Sequence, residues 1–169
     1  MRIVVSDSSC LIDLRKASLL DAFLRLPYEI VIPNTLFEDE LLRFTPDQKR
    51  ALIDGGLKLI DIPGKGVLRV QAIVRANPRL SINDGFAFVV AESNEGCILV
   101  TGDRQLRELA EQHKIEVHGV LWIVDELHRH GTAQASVLVA ALRTFEQDDS
   151  VRLPRREITA AIRRYETAD

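Results

Sequence analysis

Two short apolar runs that each end in an aspartate constrain the fold of this chain more than any other feature. Ile3-Val4-Val5-Ser6 leads directly into Asp7, and Cys97-Ile98-Leu99-Val100-Thr101-Gly102 leads into Asp103. Each run is short, apolar and partly β-branched, which is the pattern of a strand covered on both faces. Strands of that kind belong to parallel sheets. Both aspartates are therefore expected at C-terminal strand ends, the edge where open α/β sheets bind ligands.

The rest of the chain alternates between the two element types. Ser8 to Lys16 reads as a helix, and helical spacing continues from Leu19 to Leu26 until Pro27 ends it. Glu29 to Ile32 is a second strand, and Pro33 suits the first turn of a helix running through Leu36, Phe37, Leu41 and Leu42. Residues 46–54 are helical, Gly55-Gly56 breaks them, and Leu57 to Ile62 alternates like an edge strand. Pro63-Gly64-Lys65-Gly66 reads as a plain loop, because its spacing fits no P-loop, and Val67 to Val74 as a helix closed by Asn77-Pro78. Ser81-Ile82-Asn83-Asp84 matches a capping box, and Phe86 to Ala91 is apolar on nearly every side, implying a buried central helix ended by Gly96. After the strand at 97–101 come a helix with Leu106, Leu109 and Ala110, a short strand at Ile115 to Val117, and helices at roughly 120–130, 134–146 and up to about 166. This order predicts an α/β fold, a three-layer α/β/α domain with a mostly parallel central sheet and right-handed crossovers.

At 169 residues the chain is about one domain long. It contains no 18-residue apolar run, and its N-terminus enters strand-like sequence at once, so neither a membrane span nor a signal peptide is expected and the default location is cytoplasmic. Cys10 and Cys97 sit in apolar surroundings and read as buried thiols. His113, His118, His128 and His130 have no zinc-ligand spacing and read as structural or exposed. A net charge of −3 argues against coating nucleic acid by bulk electrostatics, yet it is compatible with a nuclease whose carboxylates hold metal. Arg152, Arg155, Arg156, Arg163 and Arg164 form a basic C-terminal stretch that reads equally well as a solvated helix face.

Four acidic sites stand where apolar segments end or helices begin: Asp7, the Glu38-Asp39-Glu40 cluster, Asp84 and Asp103. Gathered at one sheet edge, such carboxylates repel one another unless a hard cation neutralises them, and Mg²⁺ or Mn²⁺ prefers oxygen ligands. Each acid also has a structural alternative. Asp7 and Asp103 can serve as helix N-caps, Asp84 as the capping-box partner of Ser81, and helical acids such as 38–40 are mostly solvated.

Val5-Ser6-Asp7-Ser8-Ser9-Cys10-Leu11-Ile12, Ile32-Pro33 through Leu42, Asn83-Asp84-Gly85-Phe86-Ala87 and Val100-Thr101-Gly102-Asp103-Arg104-Gln105-Leu106 resemble, in order and separation, the PIN-domain family. The likeness is to ribonucleases that act as VapC-type toxins, and it spans roughly residues 1 to 127. It implies a PIN-like nuclease domain over 1–130, with 131–169 a C-terminal helical extension packed on the same domain. It implies metal-dependent hydrolysis of RNA by Asp7, Asp84 and Asp103 as metal ligands, joined in catalysis by a helix acid. Counting from Pro33 favours Asp39, matching the acid before leucine favours Glu40, and Glu38 fits less well. Ser8 and Thr101 are candidate supports for the site, and Arg104 a candidate phosphate contact. A small antitoxin, inserting an arginine among the carboxylates, and a homodimer through the helices after the second strand are the implied partners. Two rival readings stand beside it: a HAD-like phosphatase, against which Ser9 counts because that scheme wants an acid there, and a catalytically quiet PIN-like interaction module.

Overall fold

The fold is built outward from β1 (Arg2–Ser6), whose last three residues, Val4, Val5 and Ser6, are fully buried. In this computed structural model, which describes residues 1–168, β1 pairs in parallel with β2 (Tyr28–Pro33) on one side and β4 (Ile98–Val100) on the other. β3 (Lys58–Ile60) and β5 (Glu116–His118) close the edges, giving a five-stranded sheet in the order β3-β2-β1-β4-β5 with every pairing parallel. The chain steps from β1 to β2 to β3 in one direction and from β4 to β5 in the other. The topological switch point therefore lies between β1 and β4, the two strands that carry Asp7 and Asp103 at their ends.

Helices cover both faces, completing the three layers expected. α6 (Ile82–Glu92) packs on β1, β2 and β4, flanked by α5 (Gly64–Ala76) and α7 (Arg104–Gln112). α1 (Ser8–Lys16), α2 (Leu20–Leu24) and α8 (Val120–Arg129) pack together in a second helical layer. α3 (Asn34–Asp39) and α4 (Pro46–Asp54) complete the β2–β3 crossover, and α9 (Ala135–Gln147) packs on α8. α10 (Arg155–Glu166) lies along α9 and is tied to α8 where Tyr165 and Arg164 both bond to Asp125. No helix among the described residues is long and apolar enough to cross a membrane.

Several boundaries differ from the sequence reading, and the central helix α6 stops at Glu92 with Ser93 as its C-cap rather than at Gly96. The helical pattern over 8–26 is two helices, because Ser18 adopts φ 56° and the Leu19 and Ser18 amides return to the Leu14 and Arg15 carbonyls in a Schellman stop. Pro33 is the last residue of β2 and the N-cap of α3 rather than a residue of its first turn. α3 stops at Asp39 instead of running through Leu42, since Thr45 must become extended to cap α4 ahead of Pro46; Leu41 turns inward and Leu42 is left 78% exposed. The Gly64-Lys65-Gly66 stretch is the first turn of α5 rather than a loop, with the Gly66 and Val67 amides bonded to the Pro63 carbonyl.

Candidate functional site

The Asp7 amide donates to the Val100 carbonyl at 2.9 Å, and the Thr101 amide to the His118 carbonyl at 2.9 Å, so each ladder is prolonged past its last strand residue. That brings Asp7 and Thr101 side by side. Asp7 is 4% exposed and caps α1: Oδ1 accepts from the Ser8 amide at 2.9 Å, and Oδ2 from the hydroxyls of Thr101 at 2.8 Å and Ser9 at 3.0 Å. Both hydroxyls are themselves anchored, since Thr101 Oγ1 accepts from the Asp103 amide and Ser9 Oγ from the Gly102 amide, each at 3.0 Å. The carboxylate of one strand end and the backbone of the next are thus one hydrogen-bonded frame.

The other acids join it from separate elements. Glu40, at the C-cap of α3, reaches Ser8, whose hydroxyl donates to Glu40 Oε1 at 2.9 Å. Asp84 completes the expected capping box, with Oδ2 accepting from the Ser81 amide at 2.9 Å, and Asp103 caps α7 through Oδ1 and the Leu106 amide at 2.8 Å. The structural roles considered for these acids are all present, but they do not use up the carboxylates. Glu40 Oε2, Asp84 Oδ1 and Asp103 Oδ2 take part in no hydrogen bond among the described residues. Asp39 is exposed on the last turn of α3, and Glu38 is exposed with Lys49 3.8 Å away. Of the three consecutive acids, the structure turns Glu40 toward Asp7.

Electrostatics links the same four residues. Burial pushes the Asp7 carboxyl from 3.8 up to about 6, with the Asp84 charge adding to it against the hydrogen bonds from Thr101, Ser9 and Ser8. Glu40 is raised by burial and by the charges of Asp7, Asp84 and Asp39, and Asp84 by burial and by Asp103. No lysine, arginine or histidine among the described residues forms an ion pair with Asp7, Glu40, Asp84 or Asp103. A half-buried carboxylate group without a cation is poised to accept one. No three His, Cys, Asp or Glu side chains among the described residues stand close enough to cage an ion by direct ligation. The unused oxygens of Glu40, Asp84 and Asp103 are of the hard type that Mg²⁺ prefers, and an ion held by them would need water or a substrate phosphate to complete its shell.

A family model described as a PIN domain matches residues 3–167, from the first strand to the last helix. The chain belongs to the PIN-domain family. PIN domains are generally nucleases, so the sheet edge just described belongs to a nuclease-type hydrolase fold. No curated protein matched the chain.

Other residues in this PIN domain have settled roles. Ser9 holds Asp7 and the Gly102 amide, a scaffold role in place of the second acid that a phosphatase scheme wants. That bridging role escaped the sequence reading, since nothing about an isolated serine signals a contact with residue 102. Arg104 is exposed and pairs with Glu108 at 2.9 Å. Cys10 and Cys97 are free and buried. His113 and His130 bond to Leu109 and Glu126, His118 pairs with Glu116, and His128 packs on the edge of Tyr165.

Proposed function

We propose that this PIN domain is a metal-dependent endoribonuclease using Mg²⁺ or Mn²⁺, and that it is the toxin of a toxin–antitoxin pair acting in the cytoplasm. The observation that supports the nuclease reading is the grouping of Asp7, Glu40, Asp84 and Asp103 at the carboxyl edge of the sheet near the β1/β4 switch point, with no ion-pairing cation among the described residues. Bound there, the metal supplies activation of a water and charge stabilisation at the attacked phosphate. Asp7, clamped by three hydrogen bonds, holds a fixed carboxylate, while Glu40 Oε2, Asp84 Oδ1 and Asp103 Oδ2 are the oxygens free to ligate directly or through water. Hydrolysis forms a P–O bond to the water oxygen, breaks the P–O bond to the leaving ribose oxygen, and delivers one of the water's protons to that oxygen.

The partner readings rest on the same surface. An antitoxin arginine inserted among uncompensated carboxylates supplies the charge they lack. Exposed apolar side chains at Leu42, Leu68 and Ile82, on segments that follow β2, support a homodimer through that region. The test is cleavage of single-stranded RNA by the purified chain in Mg²⁺, Mn²⁺ or EDTA, beside Asp7→Asn and Asp103→Asn. Cutting that requires metal and disappears in both variants is the expected result; cutting that survives either substitution removes the carboxylate site from the reaction. Folded protein that cuts under no metal leaves the interaction-module reading in its place.

A further inference from the structure

Beside the carboxylates, a cavity of about 700 Å³ runs from Ser9, Gly102 and Asp103 to the segment joining α9 and α10. Its inner end is the frame that holds Asp7, because Ser9 and Thr101 line both. The volume is within the range of about 300–1,000 Å³ usual for small-ligand pockets. A single nucleotide is within that volume.

The walls have the chemistry of a nucleotide. His118 and Trp122 line the cavity and stack on each other, ring centres 4.7 Å apart and planes 7° from parallel. Aromatic faces of this kind receive unpaired bases, whereas a duplex keeps its bases stacked internally. Arg107 from α7 and Arg152 from the α9–α10 segment also line it, and neither forms an ion pair among the described residues. Room for the first guanidinium depends on Gly119, where an added Cβ would lie 3.0 Å from Arg107 Nη2. Besides Asp103, Asp13 and Glu157 are the acids on the walls, and Lys16, which also lines the cavity, offsets part of the Asp13 charge.

We infer that this cavity holds the nucleotide adjoining the scissile phosphate of a single-stranded RNA, with Arg107 and Arg152 on phosphates and the base against the His118–Trp122 pair. The inference rests on the nuclease reading above and deepens it. It also gives the C-terminal helices a part in substrate binding, because Arg152 comes from their connecting segment.

Trp122 is the chain's one tryptophan, so its emission reports on the cavity directly. The full chain is titrated in EDTA, where cleavage is suppressed, with a short single-stranded oligoribonucleotide. Saturable quenching is expected, with about tenfold weaker binding in the Arg107→Gln/Arg152→Gln protein and a salt slope smaller by about 1.4, at about 0.7 per phosphate contact. Arg155→Gln/Arg156→Gln, exposed on α10 outside the cavity, leaves the affinity within about twofold. Absence of quenching, unchanged affinity and salt slope in the folded cavity variant, or equal quenching by a duplex of the same sequence overturns the inference. The two readings fail separately. Metal-dependent cutting with an unchanged KM in the cavity variant sinks this inference alone, and quenching without any cutting sinks the nuclease reading while leaving an RNA-binding cavity.

Discussion

Replacing Asp7 by asparagine should stabilise the metal-free protein at neutral pH, although it removes a carboxylate that makes three hydrogen bonds. The reason is that the folded-state pKa is about 6 against 3.8 for an ordinary aspartate. In the unfolded chain the group ionises near pH 4, and in the folded chain only near pH 6. The carboxyl therefore costs nothing below about pH 4, and its cost grows as pH rises and is complete above about pH 6. A rise of that size is worth about 3 kcal/mol at pH 7.5, and roughly half of that at pH 5. Against this, a carboxamide nitrogen cannot accept from the Ser9 and Thr101 hydroxyls, whose oxygens already accept from the Gly102 and Asp103 amides. Two lost neutral bonds cost about 2 kcal/mol together. Asp7→Asn is then more stable than the wild type by about 1 kcal/mol at pH 7.5 and close to neutral at pH 5. Urea unfolding of both proteins in EDTA at the two pH values measures this, and other titrating groups such as Asp13 cancel in the difference. Parallel pH dependence in the two proteins would refute the claim that a buried, uncompensated charge sits at position 7.

Other substitutions separate the contributions of neighbouring residues. Glu40→Gln is expected to lower RNA cleavage by at least about tenfold and Asp39→Asn by less than about twofold, because only Glu40 is turned toward Asp7; comparable losses in steady-state rates would put both acids in the site. Thr101→Val removes the hydroxyl shared by Asp7 Oδ2 and the Asp103 amide, which should cost about 2 kcal/mol in urea unfolding and lower cleavage with it. Gly85→Ala places a methyl group 2.8 Å from Val74 Cγ2 and 3.0 Å from Val70 Cγ1, so it should destabilise the α5–α6 contact by about 1–3 kcal/mol; an unchanged unfolding midpoint would show that α5 yields freely.

The parts that could be read from sequence are those whose signals are local. β-branched runs bounded by Asp7 and Asp103 marked the two strands beside the switch point, and Ser81 with Asp84 marked the start of the central helix. The end of α3 was hidden because Leu41 keeps the helical period of Leu36 and Phe37, while a capping box several residues later decides where the helix stops. That boundary also determines which acid of 38–40 turns toward Asp7, so the orientation of Glu40 was not legible in the sequence. The break at Ser18 was hidden for a related reason: a left-handed stop filled by serine lacks the usual glycine. Arg107, His118, Trp122 and Arg152 come from four separate elements or segments, and no local pattern predicts that they share a cavity.

Everything proposed for the carboxyl edge of β1 and β4 requires that it take up a divalent cation. Calorimetric titration of Mn²⁺ into the purified chain, with and without an oligoribonucleotide, tests this most directly, using the wild type beside an Asp84→Asn/Asp103→Asn double variant that leaves the Asp7 frame in place. Saturable binding to one or two sites, strengthened by RNA and lost in the double variant, is the predicted result. The same affinity in both proteins, or no saturable binding to the wild type even with RNA present, would contradict it.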